Sequence, residues 1–281
     1  MKIYHQKKEL VNDLNDSLKK KQTIGFVPTM GALHEGHISL VKRALSENDV
    51  VVVSIFVNPT QFNNADDLAK YPRTLDADVG KIKEISTQVK IYSPNPDDVY
   101  DGIVISEEFD FQGLDKVMEG AFRPGHFDGV GTVVRRLFEI VRPTRAYFGE
   151  KDYQQLLIVK KMVVQTGLSV AIVPCPIVRA EDGLALSSRN ARLSEEGLEQ
   201  AAQISTILQQ GRERFALQTA TEVTQWAIAE FAKNKHFDLE YFIIADQNTL
   251  ETITDTSGAH QSRAFVAVYI EGIRLIDNMA Y

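Results

Sequence analysis

Residues 28–37 read Pro-Thr-Met-Gly-Ala-Leu-His-Glu-Gly-His, and this stretch decides how the first half of the chain is interpreted. The β-rich run Thr23–Pro28 leads into it, and the apolar spacing over Ile38–Leu45 predicts a helix after it. A glycine-bracketed turn between a strand and a helix is where an α/β sheet presents a helix N-terminus to a phosphate. We expect His34 and His37 on the same side of that helix start. Imidazoles can donate hydrogen bonds to phosphate oxygens, so this turn is a candidate phosphate site.

The segments around this turn alternate between strand-like and helix-like patterns, which is typical of a parallel sheet covered by helices. Asp49–Val57 is nearly continuous Val, Ile and Phe, as expected for a strand buried on both faces. After Pro176 the pattern changes to two helices followed by three strands that we expect to be antiparallel. The sequence therefore predicts an α/β domain and a smaller C-terminal α+β domain. The remaining expected elements are strands at Val89–Tyr92, Ala146–Phe148, Leu168–Val173, Leu239–Ala245, Ala264–Ile270 and Ile273–Ile276, and helices at Asp76–Ile85, Tyr153–Thr166, Ser194–Phe215 and Thr221–Lys233.

Composition narrows the class of protein. The chain has 31 Lys and Arg against 38 Asp and Glu, a net charge of −7, which argues against a broad nucleic-acid-binding surface. If the protein binds a phosphorylated ligand, its positively charged side chains must therefore be concentrated at the binding site. Cys175 is the only cysteine, so no internal disulfide can form, and apolar runs such as Val50–Val57 are far shorter than the roughly 20 residues needed to cross a bilayer. Because Met1–Leu10 also lacks an apolar signal core, we expect a cytoplasmic protein.

The histidine turn has three competing interpretations. Gly31 and Gly36 have the spacing of a P-loop, but His37-Ile38 stands where that motif requires Lys followed by Ser or Thr. His34 and His37 are three residues apart and no third ligand is evident, so the zinc motif His-Glu-x-x-His is not matched. The histidines could also merely satisfy loop backbone groups. Two imidazoles in one glycine-bracketed turn favour a phosphate site over these alternatives.

Three further segments carry candidate binding groups. Asn58-Pro-Thr-Gln-Phe62 follows the buried strand, and its amides could bind a polar substrate or simply form a turn. Gly149-Glu-Lys-Asp152 places Lys151 at a helix start, where a bound phosphate would stabilise the charge, although Glu150 and Asp152 could be its surface partners. Leu186-Ser-Ser-Arg-Asn190 could bind phosphate through two hydroxyls and a guanidinium, or form a solvated interdomain loop.

Cys175 has no evident activating base and is interpreted as structural.

Together, these segments resemble the pantothenate synthetase (pantoate–β-alanine ligase) family, and the similarity covers essentially the whole chain. Pro-Thr-Met-Gly-Ala-Leu-His-x-Gly-His, Asn-Pro-x-Gln-Phe, Gly-Glu-Lys-Asp-x-Gln-Gln and Ser-Ser-Arg-Asn occur here in the family's order and approximate spacing. The chain departs from the pattern at Leu186, where the family usually has Met, a residue of similar volume. The resemblance implies a Rossmann-like domain at residues 1–178, a C-terminal α+β lid domain at residues 179–281, and a homodimer.

The resemblance also implies roles for individual residues. ATP would be bound by Met30, Gly31, Ala32, Leu33, His34, Glu35, Gly36 and His37, by Gly149, Glu150, Lys151 and Asp152, by the backbone at Val178, and by Leu186, Ser187, Ser188 and Arg189. Pantoate and β-alanine would be bound by Asn58, Gln61, Arg123 and Gln155. The catalytic residues would be His34, His37, Lys151 and Arg189.

The implied reaction is an ATP- and Mg²⁺-dependent ligation in two steps. Pantoate would attack the α-phosphorus of ATP to give pantoyl adenylate, and β-alanine would then displace AMP. Two alternatives remain open. A nucleotidylyltransferase would stop after the nucleotide transfer, and a nucleotide-sensing module would bind ATP without releasing pyrophosphate.

Overall fold

The computed structural model describes residues 1–63, 65–255 and 261–281. Contacts divide the chain into two units: unit one comprises Met1–Glu150 and Gln154–Pro176, and unit two comprises Lys151–Tyr153 and Ile177–Tyr281. The functional domain boundary after residue 178 stays a prediction. Among the helices within these ranges, none is long and apolar enough to cross a membrane.

The sheet of unit one is parallel and Rossmann-like, as predicted. Its strands are β1 (Lys2–Tyr4), β2 (Ile24–Thr29), β3 (Val50–Ile55), β4 (Lys90–Tyr92), β5 (Arg145–Gly149) and β6 (Ala171–Cys175). Over the described residues they form a six-stranded sheet in the order β1-β4-β3-β2-β5-β6. The central strand β3 is buried from Val51 to Ile55, because β-branched residues on both of its faces pack beneath helices.

The helices of unit one cover this sheet. They are α1 (Lys7–Lys19), α2 (Glu35–Glu47), α3 (Ala65–Lys70), α4 (Leu75–Ile85), α5 (Pro96–Tyr100), α6 (Glu119–Phe122), α7 (His126–Val141) and α8 (Tyr153–Thr166). The first residue of α8, Tyr153, belongs to unit two, and the rest of that helix belongs to unit one. Helix α2 buries Ile38, Leu40, Val41 and Ala44, whereas Leu45, the fifth apolar position of the predicted spacing, is half-buried. Val41 and Ala44 join Val27 and Val53 in one core cluster, which holds α2 in place against the sheet.

Two local predictions differ from the structure. The strand expected at Leu168–Val173 runs instead over Ala171–Cys175 and includes Pro174. Proline is tolerated there because β6 lies at the edge of the sheet that the described residues form, where its one neighbouring strand is β5. The strand expected at Ile273–Ile276 continues to Ala280. Helix α7 begins at His126 and contains Gly129. A Cβ atom on Gly129 would lie 2.4 Å from the Thr60 carbonyl oxygen, so the glycine lets α7 approach that segment closely.

Unit two contains the predicted small α+β arrangement. Helices α9 (Glu195–Phe215) and α10 (Ala220–Lys233) precede three antiparallel strands, β7 (Asp238–Asp246), β8 (Ser262–Ile270) and β9 (Ile273–Ala280). The turn between β8 and β9 is Glu271-Gly272, with φ of 53° and 73°, and such positive values suit the two-residue turn of a hairpin. Both helices pack on the sheet through a core that includes Leu208, Phe231 and Val266.

Candidate active site

The turn at residues 28–37 forms the start of α2. Strand β2 ends at Thr29 and α2 begins at Glu35, so His34 is the N-cap residue and His37 the third residue of the helix. His34 Nδ1 accepts a hydrogen bond from the Gly36 backbone N–H (3.2 Å), and His37 Nδ1 accepts one from the His34 N–H (3.4 Å). The ring centroids lie 4.2 Å apart. The two histidines therefore form a capping box, with both imidazoles together at a helix N-terminus.

These backbone contacts determine which ring nitrogens carry protons. A backbone N–H can only donate, so Nδ1 of each histidine must be unprotonated to accept its bond. The proton of each neutral ring then lies on Nε2. Two Nε2–H donors, added to the partial positive charge of a helix N-terminus, form an arrangement suited to the oxygens of a phosphate group.

A buried carboxylate from α4 stabilises the turn at residues 28–37, although it is not among the residues predicted from the sequence. Asp78, only 1% exposed, accepts hydrogen bonds from the backbone N–H groups of Ala32 (2.9 Å) and Leu33 (2.7 Å). Gly31 and Ala32 have positive φ values of 82° and 49°, a conformation that costs energy for alanine. Asp78 therefore stabilises a turn whose backbone would otherwise favour other conformations.

Asn58 and Gln61 form a second polar cluster in unit one. Their side chains are buried, and the Asn58 amide nitrogen donates to Gln61 Oε1 (3.2 Å) and to the Gly129 carbonyl oxygen (3.3 Å). The Tyr100 hydroxyl donates to Asn58 Oδ1 (2.6 Å). The Gln61 amide nitrogen lies 3.0 Å from Met30 Sδ, so the structure brings the predicted substrate-binding segment to the predicted nucleotide-binding turn.

Arg123 and His126 contact the backbone of the same segment. The carbonyl oxygen of Gln61 lies 2.8 Å from His126 Nδ1 and 3.2 Å from Arg123 Nη2. Arg123 also lies 3.6 Å from the carboxylate of Glu119. Arg123 is one of the predicted substrate-binding residues, whereas the buried His126 is not, although it lies only three residues further along the chain.

Gln155 lies on α8 beside a second glutamine. Gln155 is half-buried, whereas its neighbour Gln154 is only 4% exposed. The Gln154 amide nitrogen donates to the carbonyl oxygens of Leu114 (2.7 Å) and Val117 (2.8 Å). Gln154 therefore holds the backbone before α6 in place, while Gln155 occupies the more accessible position of the pair.

The segment with Lys151 forms a short 3-10 turn, Glu150–Asp152, between β5 and α8. Gly149 and Glu150 belong to unit one, and Lys151 and Asp152 belong to unit two. The Lys151 side chain is 17% exposed, and its Nζ atom lies 3.5 Å from Asp152 Oδ1. The acidic neighbour considered from the sequence is therefore present, at the upper end of hydrogen-bond distance.

The polar segment at the start of unit two is an ordered hairpin-like loop. The Leu186 N–H donates to the Val178 carbonyl oxygen (3.0 Å), so the two backbone positions expected near ATP are neighbours. Ser187 Oγ accepts from the Arg189 N–H (3.2 Å), and the Asn190 amide donates to the Ala185 carbonyl oxygen (3.1 Å). Ser188 and Arg189 lie in the turn before a 3-10 helix over Asn190–Arg192.

A zinc site at His34 and His37 would need a third metal-ligating side chain nearby. Within residues 1–63, 65–255 and 261–281, no group of three or more His, Cys, Asp or Glu is arranged to hold a metal ion. His34 and His37 therefore gain no third protein ligand in this part of the chain.

Comparison with known proteins gives a consistent result. The family model described as pantoate-beta-alanine ligase matches residues 2–280. The pantothenate synthetases of Christiangramia forsetii and Flavobacterium psychrophilum are 49% and 50% identical over 280 residues, covering 100% of this chain and 99% of each relative. A solved pantothenate synthetase from Thermus thermophilus has 40% identity, a TM-score of 0.90 and 99% coverage of both chains. A Francisella tularensis pantoate-beta-alanine ligase, solved with beta-gamma ATP and beta-alanine, has 39% identity, a TM-score of 0.81, and coverage of 100% of this chain and 97% of that chain.

Proposed function

The chain belongs to the pantoate-beta-alanine ligase family, an ATP-dependent ligase family, and we propose that it condenses pantoate with β-alanine through a pantoyl adenylate. In the first step a pantoate carboxylate oxygen attacks the α-phosphorus of ATP, and the bond to pyrophosphate breaks. In the second step the β-alanine amine attacks the acyl carbon, the bond to AMP breaks, and the amine loses a proton. Activation is needed because a free carboxylate is a poor acyl donor.

The observation that carries the proposal is the pair of imidazoles in the α2 capping box. Charge that develops on the phosphate oxygens during adenylation is stabilised by preorganised donors, and His34 and His37 each have an Nε2–H group at a helix N-terminus. We assign both to catalysis. Met30, Gly31, Ala32, Leu33, Glu35 and Gly36 complete the ATP-binding turn in this proposal.

The substrate side of the proposal rests on neutral amides. Asn58 and Gln61 are buried next to Met30, and amides can orient a carboxylate without adding charge. We assign Asn58, Gln61 and Gln155 to pantoate, with Gln61 also near β-alanine. Arg123, whose guanidinium contacts the Gln61 carbonyl oxygen, supplies the positive charge on this side.

The remaining ATP groups come from the two later segments. We propose that Lys151 and Arg189 are catalytic and act on the phosphates, since an acidic chain must gather its positive charge locally. Gly149, Glu150, Asp152, Val178, Leu186, Ser187 and Ser188 contribute the other contacts. Mg²⁺ enters as part of the substrate, bound by ATP phosphates, which agrees with the small number of protein ligands that Mg²⁺ usually takes at phosphate sites.

We also propose a cytoplasmic homodimer with a functional boundary after residue 178. The cytoplasmic assignment is supported by the single cysteine, Cys175, which is buried and has no possible internal disulfide partner. The homodimer and the closing of residues 179–281 as a lid are supported by the family resemblance.

The test follows labelled pyrophosphate into ATP. With Mg²⁺ and pantoate but no β-alanine, label should enter ATP, because adenylation alone is reversible. Mass spectrometry should detect pantothenate only after β-alanine is added. Exchange that strictly requires β-alanine would contradict the adenylate route, product formation that stops at the nucleotide transfer would indicate a nucleotidylyltransferase, and ATP binding without pyrophosphate release would indicate a sensor.

Cys175→Ser is the control for a covalent route. Burial raises the pKa of the Cys175 thiol, so the reactive thiolate is disfavoured. Exchange should therefore persist in this variant. Its loss in a folded Cys175→Ser protein would indicate an acyl-thioester intermediate.

A further inference from the structure

A buried polar cluster in unit two lies directly against the backbone of Lys151. Its members are Asn278 on β9 and Arg263 on β8, which are 2% and 6% exposed. The Asn278 amide nitrogen donates a 2.8 Å hydrogen bond to the Lys151 carbonyl oxygen. Lys151 and Asn278 are 127 residues apart in the sequence, but both belong to unit two.

The orientation of the Asn278 amide follows from its two partners. Arg263 Nη1 donates to Asn278 Oδ1, and a guanidinium has no acceptor atom. The Lys151 carbonyl has no donor, so the amide nitrogen must face Lys151 and the amide oxygen must face Arg263. A flipped amide would break both contacts, and the assignment is therefore unambiguous.

Further contacts hold the cluster in place. The guanidinium carbon of Arg263 lies 4.0 Å from the ring centroid of Tyr153, two residues after Lys151. On the other side, the Asn278 N–H donates to Asp277 Oδ1 (2.7 Å), and Asp277 forms a two-point ion pair with Arg179 (2.6 and 2.9 Å). The cluster thus contacts the Lys151 carbonyl and the Tyr153 ring, and it is anchored through Asp277 to Arg179.

We propose that Asn278 is a positioning residue for Lys151. The turn Glu150–Asp152 is a single 3-10 turn, which has poorer hydrogen-bond geometry than an α-helix, and so an outside contact matters for where its backbone lies. The Asn278 amide holds the Lys151 carbonyl and thereby sets the point from which the long, flexible lysine side chain starts. This inference rests on the proposed catalytic role of Lys151, because misplacing a catalytic group by about 1 Å can cost about 100-fold in rate.

The test begins with Asn278→Asp. Aspartate has nearly the same shape and keeps the acceptor for Arg263, but it replaces the donor to Lys151 with an oxygen. We expect kcat/KM for ATP in pantoate-dependent pyrophosphate exchange to fall about tenfold, the size expected when one hydrogen bond that orders a catalytic group is lost. Asn278→Ala carries the same expectation without added charge, and it serves if the aspartate variant does not fold.

Asn234→Asp is the matched control. The Asn234 amide nitrogen donates to Gln200 Oε1 (2.7 Å), and its oxygen accepts from the His236 N–H (3.0 Å). The substitution therefore removes one donor and keeps one acceptor in the same unit, but it does so away from Lys151. Its kcat/KM should stay within about twofold of the wild type.

A double-mutant cycle with Lys151→Met separates positioning from a general structural role. If Asn278 acts through Lys151, Asn278→Asp should cost less than about twofold in the Lys151→Met background. An equal tenfold loss in both backgrounds would overturn the inference, because a structural role does not depend on the lysine side chain. Unchanged exchange by Asn278→Asp beside an impaired Lys151→Met would also overturn it. Normal exchange by Lys151→Met would overturn the proposed role of Lys151 itself and the inference with it.

Discussion

Helices α2 and α10 both begin with a reciprocal cap, but they build it from different residues: the N-cap side chain accepts from a backbone N–H of the first turn, and the third helical residue accepts from the N-cap N–H. In α10, Thr219 Oγ1 accepts from the Glu222 N–H (3.2 Å), and the Glu222 carboxylate accepts from the Thr219 N–H (2.8 Å). In α2, His34 and His37 occupy the corresponding positions, and their bonds are 3.2 and 3.4 Å long. Threonine is among the favoured N-cap residues, whereas histidine is not among them.

The roles that we propose assign the α10 helix start to stability and the α2 helix start to chemistry. The Glu222 carboxylate offsets the partial positive charge at the start of α10. The α2 box has no carboxylate, so it leaves that charge to act on a bound anion, and it adds the Nε2 side of two imidazoles. We interpret α2 as a helix start in which capping strength is lower and phosphate binding is stronger.

The largest expected effect is that of His37→Ala. Loss of one preorganised donor to developing charge costs about 100- to 1,000-fold in turnover, so pyrophosphate exchange should fall by that factor while the protein stays folded. The control is Glu222→Ala, which changes the same helix position in α10 and should leave exchange within about twofold. Near-normal turnover by a folded His37→Ala protein would refute the catalytic role.

Asp78→Asn tests the support of the α2 turn. The asparagine amide would place its NH₂ group against one of the two backbone N–H groups that now donate hydrogen bonds to Asp78. Leaving one buried donor unpaired should lower the free energy of unfolding by about 1–3 kcal/mol, measured by urea denaturation, and reduce exchange activity. Asp76→Asn, at an exposed position of the same helix, should change neither quantity. If the two variants behave alike, Asp78 does not hold the turn.

Substitutions of the two N-cap residues, Thr219 and His34, should change the free energy of unfolding by smaller amounts and in opposite directions. Thr219→Ala should lower the free energy of unfolding by about 1 kcal/mol without affecting exchange. His34→Ser introduces a favoured cap, so it should raise the free energy of unfolding by about 0.5 kcal/mol and still reduce exchange strongly. Chemical denaturation and exchange assays on both variants test this; a less stable but fully active His34→Ser protein would reverse our interpretation of α2.

The smallest effect concerns pH. The Thr219 backbone N–H and hydroxyl donate to Glu222 and hold the pKa of Glu222 below its ordinary 4.5. A lowered folded-state pKa means that this contribution is fully present above pH 4.5 and is lost as the pH falls through the lower value. The melting temperatures of wild type and Glu222→Gln should therefore differ at about pH 7, and the difference should shrink as the pH falls below 4.5. A constant difference would show that ionised Glu222 does not contribute to the α10 cap.

Local patterns predicted much of this protein well. The bounds of α9 and α10 are predicted to within one residue, because the apolar spacing and the end signals of a helix lie close together in the chain. The parallel sheet followed from the alternation of apolar strands and amphipathic helices. The sequence predicts β6 at Leu168–Val173, whereas the strand runs over Ala171–Cys175 and includes Pro174, which an edge strand tolerates.

The positioning residues were missed because their partners are far away in the chain. Asp78 lies 46 residues from Ala32, His126 lies 65 residues from Gln61, and Asn278 lies 127 residues from Lys151. In the sequence, Asp78 looks like another acidic residue in the first turn of a helix. Only folding removes it from water and directs it to two backbone N–H groups, and no spacing rule within one segment encodes that contact.

Sequence alone therefore determined the local chemistry of the candidate site: which imidazoles, amides, hydroxyls and cations it offers, and which helix starts carry them. Tertiary structure decided the state of those groups. It placed His34 and His37 with their rings 4.2 Å apart and both Nδ1 atoms occupied, buried Asp78 against the strained turn, and set Asn278 against the Lys151 carbonyl. The physical reason is that a residue's type is a property of one position, whereas its burial, its proton and its hydrogen-bond partner depend on which distant segments pack against it.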